Sequence, residues 1–254
     1  MKITFLGTGT SQGVPIIACD CIVCTSLNEK DKRYRSSILI EANDHAFVID
    51  TGPDFRSQML RNKSKRLDAV IFTHEHKDHI AGFDDIRAFN YIQGTAIDVY
   101  ATSHVQAAIR REFPYIFDEF KYPGIPQITL HTIDPTRPFQ IKGSTFMPIQ
   151  LLHYKLPVLG YRVGDFVYIT DANYINEVEK EKIKGAKILV LNALRKEQHI
   201  SHFTLDQAIA LSKELAVEQT YFTHISHQLG LHHQIEQDLP INMQLAYDEL
   251  VLTL

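Results

Sequence analysis

Residues 67–79 read LDAVIFTHEHKDH, an apolar run that leads directly into a cluster of metal-ligating side chains. The apolar half predicts a buried strand. In an extended segment residues i and i+2 project to the same side, so His74 and His76 can hold one ion as the chain leaves the strand. Asp78 and His79 follow in a turn and point in different directions, which suits a second ion roughly 3.5–4 Å from the first. The stretch therefore predicts a two-metal hydrolytic site, and with it an enzyme.

Three other polar residues stand where further ligands are needed. His153, Asp171 and His224 each follow an apolar segment that is typical of a strand. Strand ends along one edge of a sheet can converge, so all three could reach ions held by the 74–79 motif. Spacing alone leaves open the alternative that they are scattered surface residues.

The cysteines form a second cluster. Cys19, Cys21 and Cys24 lie within six residues and are odd in number. This pattern argues against a disulfide framework and favours reduced thiolates. Three thiolates and one imidazole make a closed tetrahedral set suited to structural zinc. The alternative is three reduced cysteines on a loop.

The composition is that of an ordinary globular protein, with 254 residues, 44% hydrophobic, 22% charged and a net charge of -4. We expect one domain over 1–254, with a metal-binding loop inserted near 15–35. The negative charge argues against a broad nucleic-acid-binding surface. No apolar run approaches the roughly 20 residues of a membrane span, and the amino terminus lacks a long apolar signal segment. We therefore expect a cytoplasmic location.

Strand-like and helix-like segments alternate along the chain, which predicts an α+β protein. The predicted strands are 2–6, 37–41, 46–50, 67–73, 96–101, 128–133, 144–152, 159–163, 166–170, 188–191 and 219–223, and the predicted helices are 83–91, 104–113 and 205–215. A last helix followed by a strand is expected near 243–254. Two β-rich halves flanked by helices indicate a four-layer αββα sandwich.

The order of the ligand candidates resembles the metallo-β-lactamase superfamily, whose pattern is HxHxDH, a later His, a bridging Asp and a final His. The resemblance implies a sandwich of that type and a metal-dependent hydrolase. It also implies that one ion is bound by His74, His76 and His153, and the other by Asp78, His79 and His224. Asp171 would bridge the two ions.

The amino terminus narrows the resemblance. Residues 7–15, GTGTSQGVP, the cysteine cluster and residues 223–227, THISH, look like the PhnP group of phosphodiesterases, which act on a cyclic ribosyl phosphate. The resemblance implies a structural zinc bound by Cys19, Cys21, Cys24 and His227. The expected cofactors are then two catalytic divalent ions, zinc or manganese, and one structural zinc.

The expected reaction is attack on phosphorus by a hydroxide that the two ions activate, with Asp78 among the catalytic residues. The leaving alkoxide needs a proton, and either His199 or His202 could supply it. The PhnP resemblance favours His202 as general acid. The alternative is a solvent-exposed histidine near a helix start.

Three further features bear on the site. Asp50 ends a predicted strand and is expected to hydrogen-bond the backbone or a ligand histidine. Asn192 stands where the family leads us to expect an Asp, which puts a charge-dependent role there in doubt. The aromatic segment 113–126 predicts a lid over the site, with a hairpin packed on the body or a subunit contact as the alternative.

The expected partner is a small-molecule phosphodiester, with a second copy of the chain as a candidate for the aromatic segment. We expect no extended RNA and no membrane. Competing hypotheses on the same fold are a ribonuclease Z-like nuclease and a thioesterase or lactamase. From another class come a di-iron redox protein and a metal-binding module without catalysis. The nuclease would need an extended basic arm, which the sequence lacks.

Overall fold

The computed structural model describes residues 1–120 and 122–254. Its strands are β1 Lys2–Gly7, β2 Ser37–Ala42, β3 His45–Ile49, β4 Ala69–Ile71, β5 Ile97–Ala101, β6 Ile128–Thr132, β7 Phe139–Ile141, β8 Ser144–His153, β9 Leu156–Val163, β10 Phe166–Tyr168, β11 Ile188–Asn192, β12 Gln219–Thr223, β13 Met243–Leu245 and β14 Val251–Thr253. Within the described residues they form two seven-stranded sheets, ordered β14-β1-β2-β3-β4-β5-β6 and β13-β12-β11-β10-β9-β8-β7.

Helices cover the outer faces of both sheets. They are α1 Phe55–Asn62, α2 Lys77–Ile80, α3 Arg87–Gln93, α4 Ser103–Glu112, α5 Glu177–Glu181, α6 Leu205–Leu215 and α7 His232–Asp238. Short 3₁₀ turns lie at Glu29–Asp31, Phe83–Ile86, Pro114–Ile116 and His227–Leu229. No helix in the described part of the chain has the length and apolar character needed to cross a bilayer.

Three apolar clusters define the layers. The central cluster contains residues of both sheets, such as Phe47 of β3 and Tyr161 of β9, and so lies between the sheets. A second cluster packs α6 on the outer face of the β11-containing sheet, and a third packs α1 and α4 on the other sheet. The predicted α+β class and four-layer αββα sandwich are confirmed.

The elements of the predicted list differ from the structure at several places. The expected helix 83–91 is a 3₁₀ turn followed by α3, and helices α1, α2 and α5 were not predicted because they are short. The expected final strand is two strands in different sheets, β13 and β14. The chain crosses between the sheets there, and Glu249 adopts a left-handed φ of 70° at the crossing.

Parallel pairing brings the carboxyl ends of several strands to one edge of each sheet. In the first sheet β3, β4, β5 and β6 run parallel, and in the second β10, β11, β12 and β13 do. The carboxyl ends of parallel strands are the usual place for a site in such sheets. The polar residues that follow β4, β10 and β12 therefore meet at one end of the sandwich.

Candidate dinuclear metal centre

All seven predicted ligands of the two-ion site come together at this end of the sandwich. His74 lies three residues beyond β4, His153 is the last residue of β8, and His224 follows β12 directly. Asp171 lies three residues beyond β10, and Asp78 and His79 sit in the first turn of α2. The structure thus brings residues 74 and 224, which are far apart in sequence, into one cluster.

The three histidines assigned to the first ion face one another. The ring centroids of His74 and His76 are 4.6 Å apart, those of His76 and His153 are 5.1 Å apart, and those of His74 and His153 are 5.8 Å apart. The Nε2 atom of His74 is buried and has no hydrogen-bond partner among the described residues. A buried ring nitrogen without a partner is costly unless something binds it, and a metal ion fits that position.

The four residues assigned to the second ion form a tighter group. Ligand atoms of Asp78, His79, Asp171 and His224 all lie within 4.8 Å of one another. The Nε2 atom of His79 is 3.2 Å from a carboxylate oxygen of Asp78 and 3.2 Å from one of Asp171. Within residues 1–120 and 122–254, the Nε2 atoms of His79 and His224 are buried without hydrogen-bond partners. Two imidazoles and two carboxylates are a donor set that zinc and manganese accept.

The charge distribution favours a cation at this point. Burial of His79 opposes protonation, but the carboxylates of Asp78, Asp171 and Asp50 raise the pKa of its ring well above the usual value. Burial alone would raise the pKa of Asp171, yet the neighbouring His224 and His79 hold that pKa well below its usual value. The pKa of Asp78 is also lowered, because the attraction of His79 outweighs burial. Asp78 and Asp171 are therefore ionised and attract positive charge, which bound divalent ions would supply.

Hydrogen bonds orient the ligand rings. Asp50, buried at the end of β3, accepts from Nδ1 of His79 at 2.7 Å and from the backbone N–H of Thr73 at 2.9 Å. Nδ1 of His153 donates to the Ser201 carbonyl oxygen at 2.9 Å. Such partners occupy Nδ1, leave Nε2 available to a metal ion and fix the direction of the ring. The contact predicted for Asp50 is present.

Residues that the sequence did not single out also hold the ligands. The hydroxyl of buried Ser36 donates to the Gly9 carbonyl at 3.0 Å and lies 3.1 Å from Nδ1 of His224. Ser36 and His224 are 188 positions apart, so no local pattern could have revealed the contact. Asp171 and His224 have left-handed φ values of 53° and 56°. Strained backbone of this kind concentrates at functional sites.

His202 lies inside the cluster rather than on the surface. It forms a group with His153 and Asp171 in which ligand atoms lie within 4.8 Å, and its Nδ1 is 4.0 Å from a carboxylate oxygen of Asp171. Burial, followed by repulsion from His224, lowers the pKa of His202 to about 2, so the ring is neutral at rest. His199 is near, with its ring centroid 5.1 Å from that of His202.

The cysteine cluster converges on a single nitrogen. The Sγ atoms of Cys19, Cys21 and Cys24 lie 3.4, 3.3 and 3.5 Å from Nδ1 of His227. A tetrahedral ion with Zn–S near 2.3 Å and Zn–N near 2.0–2.1 Å would have S···N edges of about 3.5 Å. A hydrogen bond from the backbone N–H of Cys24 lowers the pKa of Cys21 to about 6, which favours the thiolate that zinc requires. The donor set and its spacing fit structural zinc.

This cluster is attached to the loop that carries His224. His227 comes three residues after His224, and the intervening Ile225 forms a parallel bridge with Gly9. The backbone N–H of Ile225 donates to the Thr8 carbonyl at 2.9 Å, and that of Thr10 donates to the Ile225 carbonyl at 3.1 Å. Residues 8–10 therefore hold the short segment that carries both His224 and His227.

Asn192 supports the segment next to Asp171. Its side-chain oxygen accepts from the Ala172 backbone N–H at 2.9 Å, and its amide nitrogen donates to the Ala172 carbonyl at 2.9 Å. The residue is fully buried. An amide offers a donor and an acceptor together, whereas an ionised carboxylate offers acceptors alone. The two hydrogen bonds with the backbone of Ala172 need one acceptor and one donor, and so require the amide of an Asn.

Three other histidines and the aromatic segment have structural partners. His104 contacts Glu75, His131 contacts Asp98, and His232 contacts Arg33. The described residues of 113–126 pack beside α4 and β6 around a cavity of about 500 Å³ whose described lining includes none of the metal-binding candidates. Lys121 of this segment lies outside the described residues. The described residues of this segment form a 3₁₀ turn and no strand pair, so packing on the body fits these contacts better than the lid, but the expected hairpin is absent from them.

Comparison with known proteins identifies the family. A model of the beta-lactamase superfamily domain matches residues 45–225. The chain belongs to the metallo-β-lactamase superfamily. The predicted superfamily and its enzyme class, a hydrolase, are therefore confirmed.

Solved structures show which members of the superfamily this chain is similar to. A diphosphatase from the PhnP family is 38% identical, with a TM-score of 0.93 over 100% of this chain and 97% of the other. Zinc-bound PqqB from Methylobacterium extorquens has a TM-score of 0.80 at 19% identity, with both chains fully covered, and shows the shared fold alone. The expected resemblance to the PhnP group is confirmed.

The curated relatives are longer proteins. An octanoyltransferase of Porphyromonas gingivalis is 38% identical over 252 residues, which cover 98% of this chain and 51% of that protein. The chain spans between 37% and 54% of the length of the first curated relatives it matches. The names of those relatives describe whole proteins, of which the matched residues are only these shares.

Proposed function

We propose that the chain is a metal-dependent phosphodiesterase that hydrolyses a small phosphodiester, cyclic esters included, or the related diphosphate linkage. One observation carries the proposal, namely the cluster in which three buried ligand nitrogens, those of His74, His79 and His224, have no hydrogen-bond partner among the described residues. The likeness to a PhnP-family diphosphatase over the whole chain supports phosphorus as the atom attacked. The acting unit would be one domain, residues 1–254.

The proposed ligand sets are those of the sequence analysis. His74, His76 and His153 would hold one ion, Asp78, His79 and His224 the other, and Asp171 would bridge them. The ions, zinc or manganese, would lower the pKa of water and neutralise charge on the phosphoryl oxygens. Cys19, Cys21, Cys24 and His227 would hold a third, structural zinc.

The residues of the chain supply orientation and a hydrogen-bond donor. Asp50 and the Ser201 carbonyl fix the ring directions of His79 and His153, so the metal ligands are in place before substrate binds. His202 is proposed to donate its ring proton to the leaving oxygen. A neutral imidazole can act in this way because its N–H is still a donor. Burial of His202 keeps bulk water away from this step.

Acyl chemistry is the second candidate, because a longer relative is an octanoyltransferase. The nucleophile that attacks phosphorus can also attack an acyl carbon.

A ribonuclease Z-like activity on extended RNA is disfavoured by the net charge of -4, since RNA-binding surfaces are basic. A di-iron redox protein is disfavoured because such proteins tend to carry acidic residues among the ligands, where this chain has His79.

A substrate ranking tests the proposal. The purified protein should hydrolyse bis(p-nitrophenyl) phosphate faster than an octanoyl thioester or a β-lactam, and chelation should abolish the activity. Faster hydrolysis of the thioester would refute the phosphodiesterase proposal and favour acyl chemistry.

A His202→Ala variant tests the role of the proposed donor. It should retain its metal content and lose rate most strongly with alkyl leaving groups, because those need the proton most. A His199→Ala variant is the matched control and should retain most of the activity. An unchanged rate with an alkyl ester, or loss of one catalytic ion in His202→Ala, would remove the proton-donating role.

A further inference from the structure

Two segments that carry site residues meet at the rim of the metal centre. The hairpin tip after β8 follows His153, and the loop that ends at His202 passes beside it. Nδ1 of His153 donates to the Ser201 carbonyl at 2.9 Å, which joins the two segments directly. Asn173 joins them again, because its side-chain oxygen accepts from the backbone N–H of Tyr154 at 2.7 Å and its amide donates to the Ile200 carbonyl at 3.3 Å.

Large side chains stand exposed at this junction. Tyr154 is 49% exposed and comes directly after His153, and Ile200 is 66% exposed and lies two residues before His202. Lys155 places its ammonium 5.3 Å from the ring centroid of Tyr154 and has no carboxylate partner within the described chain. We call Tyr154, Lys155 and Ile200 the rim patch.

The backbone at Tyr154 suits a bulky side chain poorly, so folding alone does not account for the ring. His153 pairs with Leu156, so Tyr154 and Lys155 are the whole two-residue loop between β8 and β9. Tyr154 has a φ of 58°. Glycine and asparagine are preferred at that position of a tight hairpin, and a bulky aromatic residue there is strained. Local strain beside a site is an argument for function.

We propose that the rim patch is a substrate subsite that binds the ring-bearing substituent of a nucleotide-like phosphoester. The aromatic face of Tyr154 and the apolar surface of Ile200 would receive a base or sugar, and the ammonium of Lys155 would attract a further phosphate. The continuity of the patch with His153 and His202 places the ring-bearing group beside a phosphate held at the metals. The inference rests on the proposed function and names its substrate class.

Direct binding to the metal-loaded protein tests this subsite without relying on turnover. Calorimetric titration would compare thymidine 5′-monophosphate with inorganic phosphate. The nucleotide should bind more tightly, and Tyr154→Ala should weaken its binding about tenfold while changing that of phosphate less than twofold, as expected for loss of one stacking contact. Tyr154→Phe keeps the ring and should bind as wild type.

Two variants separate recognition from stability. Tyr154→Gly should weaken nucleotide binding as much as Tyr154→Ala does, yet should melt at the same or a higher temperature, because glycine tolerates the left-handed backbone. Tyr91→Ala removes an exposed tyrosine of α3 and should change neither quantity. Lys155→Met should weaken the binding of thymidine 5′-diphosphate more than that of the monophosphate, because the ammonium is proposed to attract the further phosphate.

The outcomes distinguish the subsite from the proposed function. Equal affinity for nucleotide and phosphate, binding of neither probe, or no effect of Tyr154→Ala would overturn the subsite. A change in sedimentation behaviour of Tyr154→Ala without a change in nucleotide binding would identify the patch as a subunit contact and overturn it as well. Tyr154-dependent nucleotide binding together with failure to hydrolyse any phosphodiester would refute the proposed function instead.

Discussion

Replacement of Asn192 by Asp should destabilise the protein in a pH-dependent manner. The buried amide of Asn192 accepts from the Ala172 N–H and donates to the Ala172 carbonyl, both at 2.9 Å. An ionised carboxylate at position 192 would still accept from the Ala172 N–H. Its second oxygen would face the Ala172 carbonyl oxygen, to which it could not donate; that carbonyl also accepts from the Phe203 N–H. A lost bond with an unpaired buried charge costs about 3 kcal/mol.

Protonation of the introduced carboxyl would restore the donor, so its folded-state pKa should be raised above the unfolded value of about 3.9. Stability relative to wild type is then retained below about pH 4 and lost as the pH rises, by about 1.4 kcal/mol per pH unit. We expect a deficit of about 1.5 kcal/mol at pH 5 and about 3 kcal/mol at pH 7.

Urea unfolding followed by circular dichroism, on EDTA-treated protein and with wild type at each pH, measures this difference. Asn192→Ala removes the amide without adding a titratable group, so its deficit should be the same at pH 5 and pH 7. Wild-type stability of Asn192→Asp at pH 7, or an equal deficit at both pH values, would contradict the role assigned to this amide.

Three further perturbations follow from the contacts. Asp50→Asn should lower the affinity for the catalytic ions about 10- to 100-fold, because the carboxylate that orients His79 is lost; competition with a metal indicator measures this, and unchanged affinity would argue against the orienting role. Burial and the nearby Arg33 lower the pKa of His232 to about 4, so stability present above pH 6.5 should fall as the pH drops from about 6.5 towards 4; His232→Asn should flatten this part of the unfolding free energy against pH. Cys21→Ser should reduce the metal content by one ion per chain and lower the melting temperature, and full zinc retention would exclude the cysteine site.

The sequence was most informative where a local pattern encodes the chemistry. The spacing of His74 to His79 after an apolar run predicted the cluster of ligand side chains, because strand geometry sets the direction of neighbouring side chains. The helix 205–215 and the strand 219–223 have the predicted bounds. A capping box at Thr204 fixes the start of that helix.

Other contacts depend on the tertiary fold and leave no local trace. Ser36 reaches His224 across 188 positions, and Asn192 binds the backbone of residue 172. Asp54 pairs with Arg35 on another segment rather than with a neighbour in sequence. The expected final strand is two strands in different sheets. A short apolar run does not indicate which sheet it will join, because tertiary packing decides this.

Anomalous diffraction from crystals of the metal-loaded protein tests the central claim most directly. We predict three peaks per chain. Two should lie about 3.5–4 Å apart among His74, His76, Asp78, His79, His153, Asp171 and His224, and one should lie among Cys19, Cys21, Cys24 and His227. A single peak in the histidine cluster, or metal bound only at the cysteines, would contradict a two-metal hydrolytic centre.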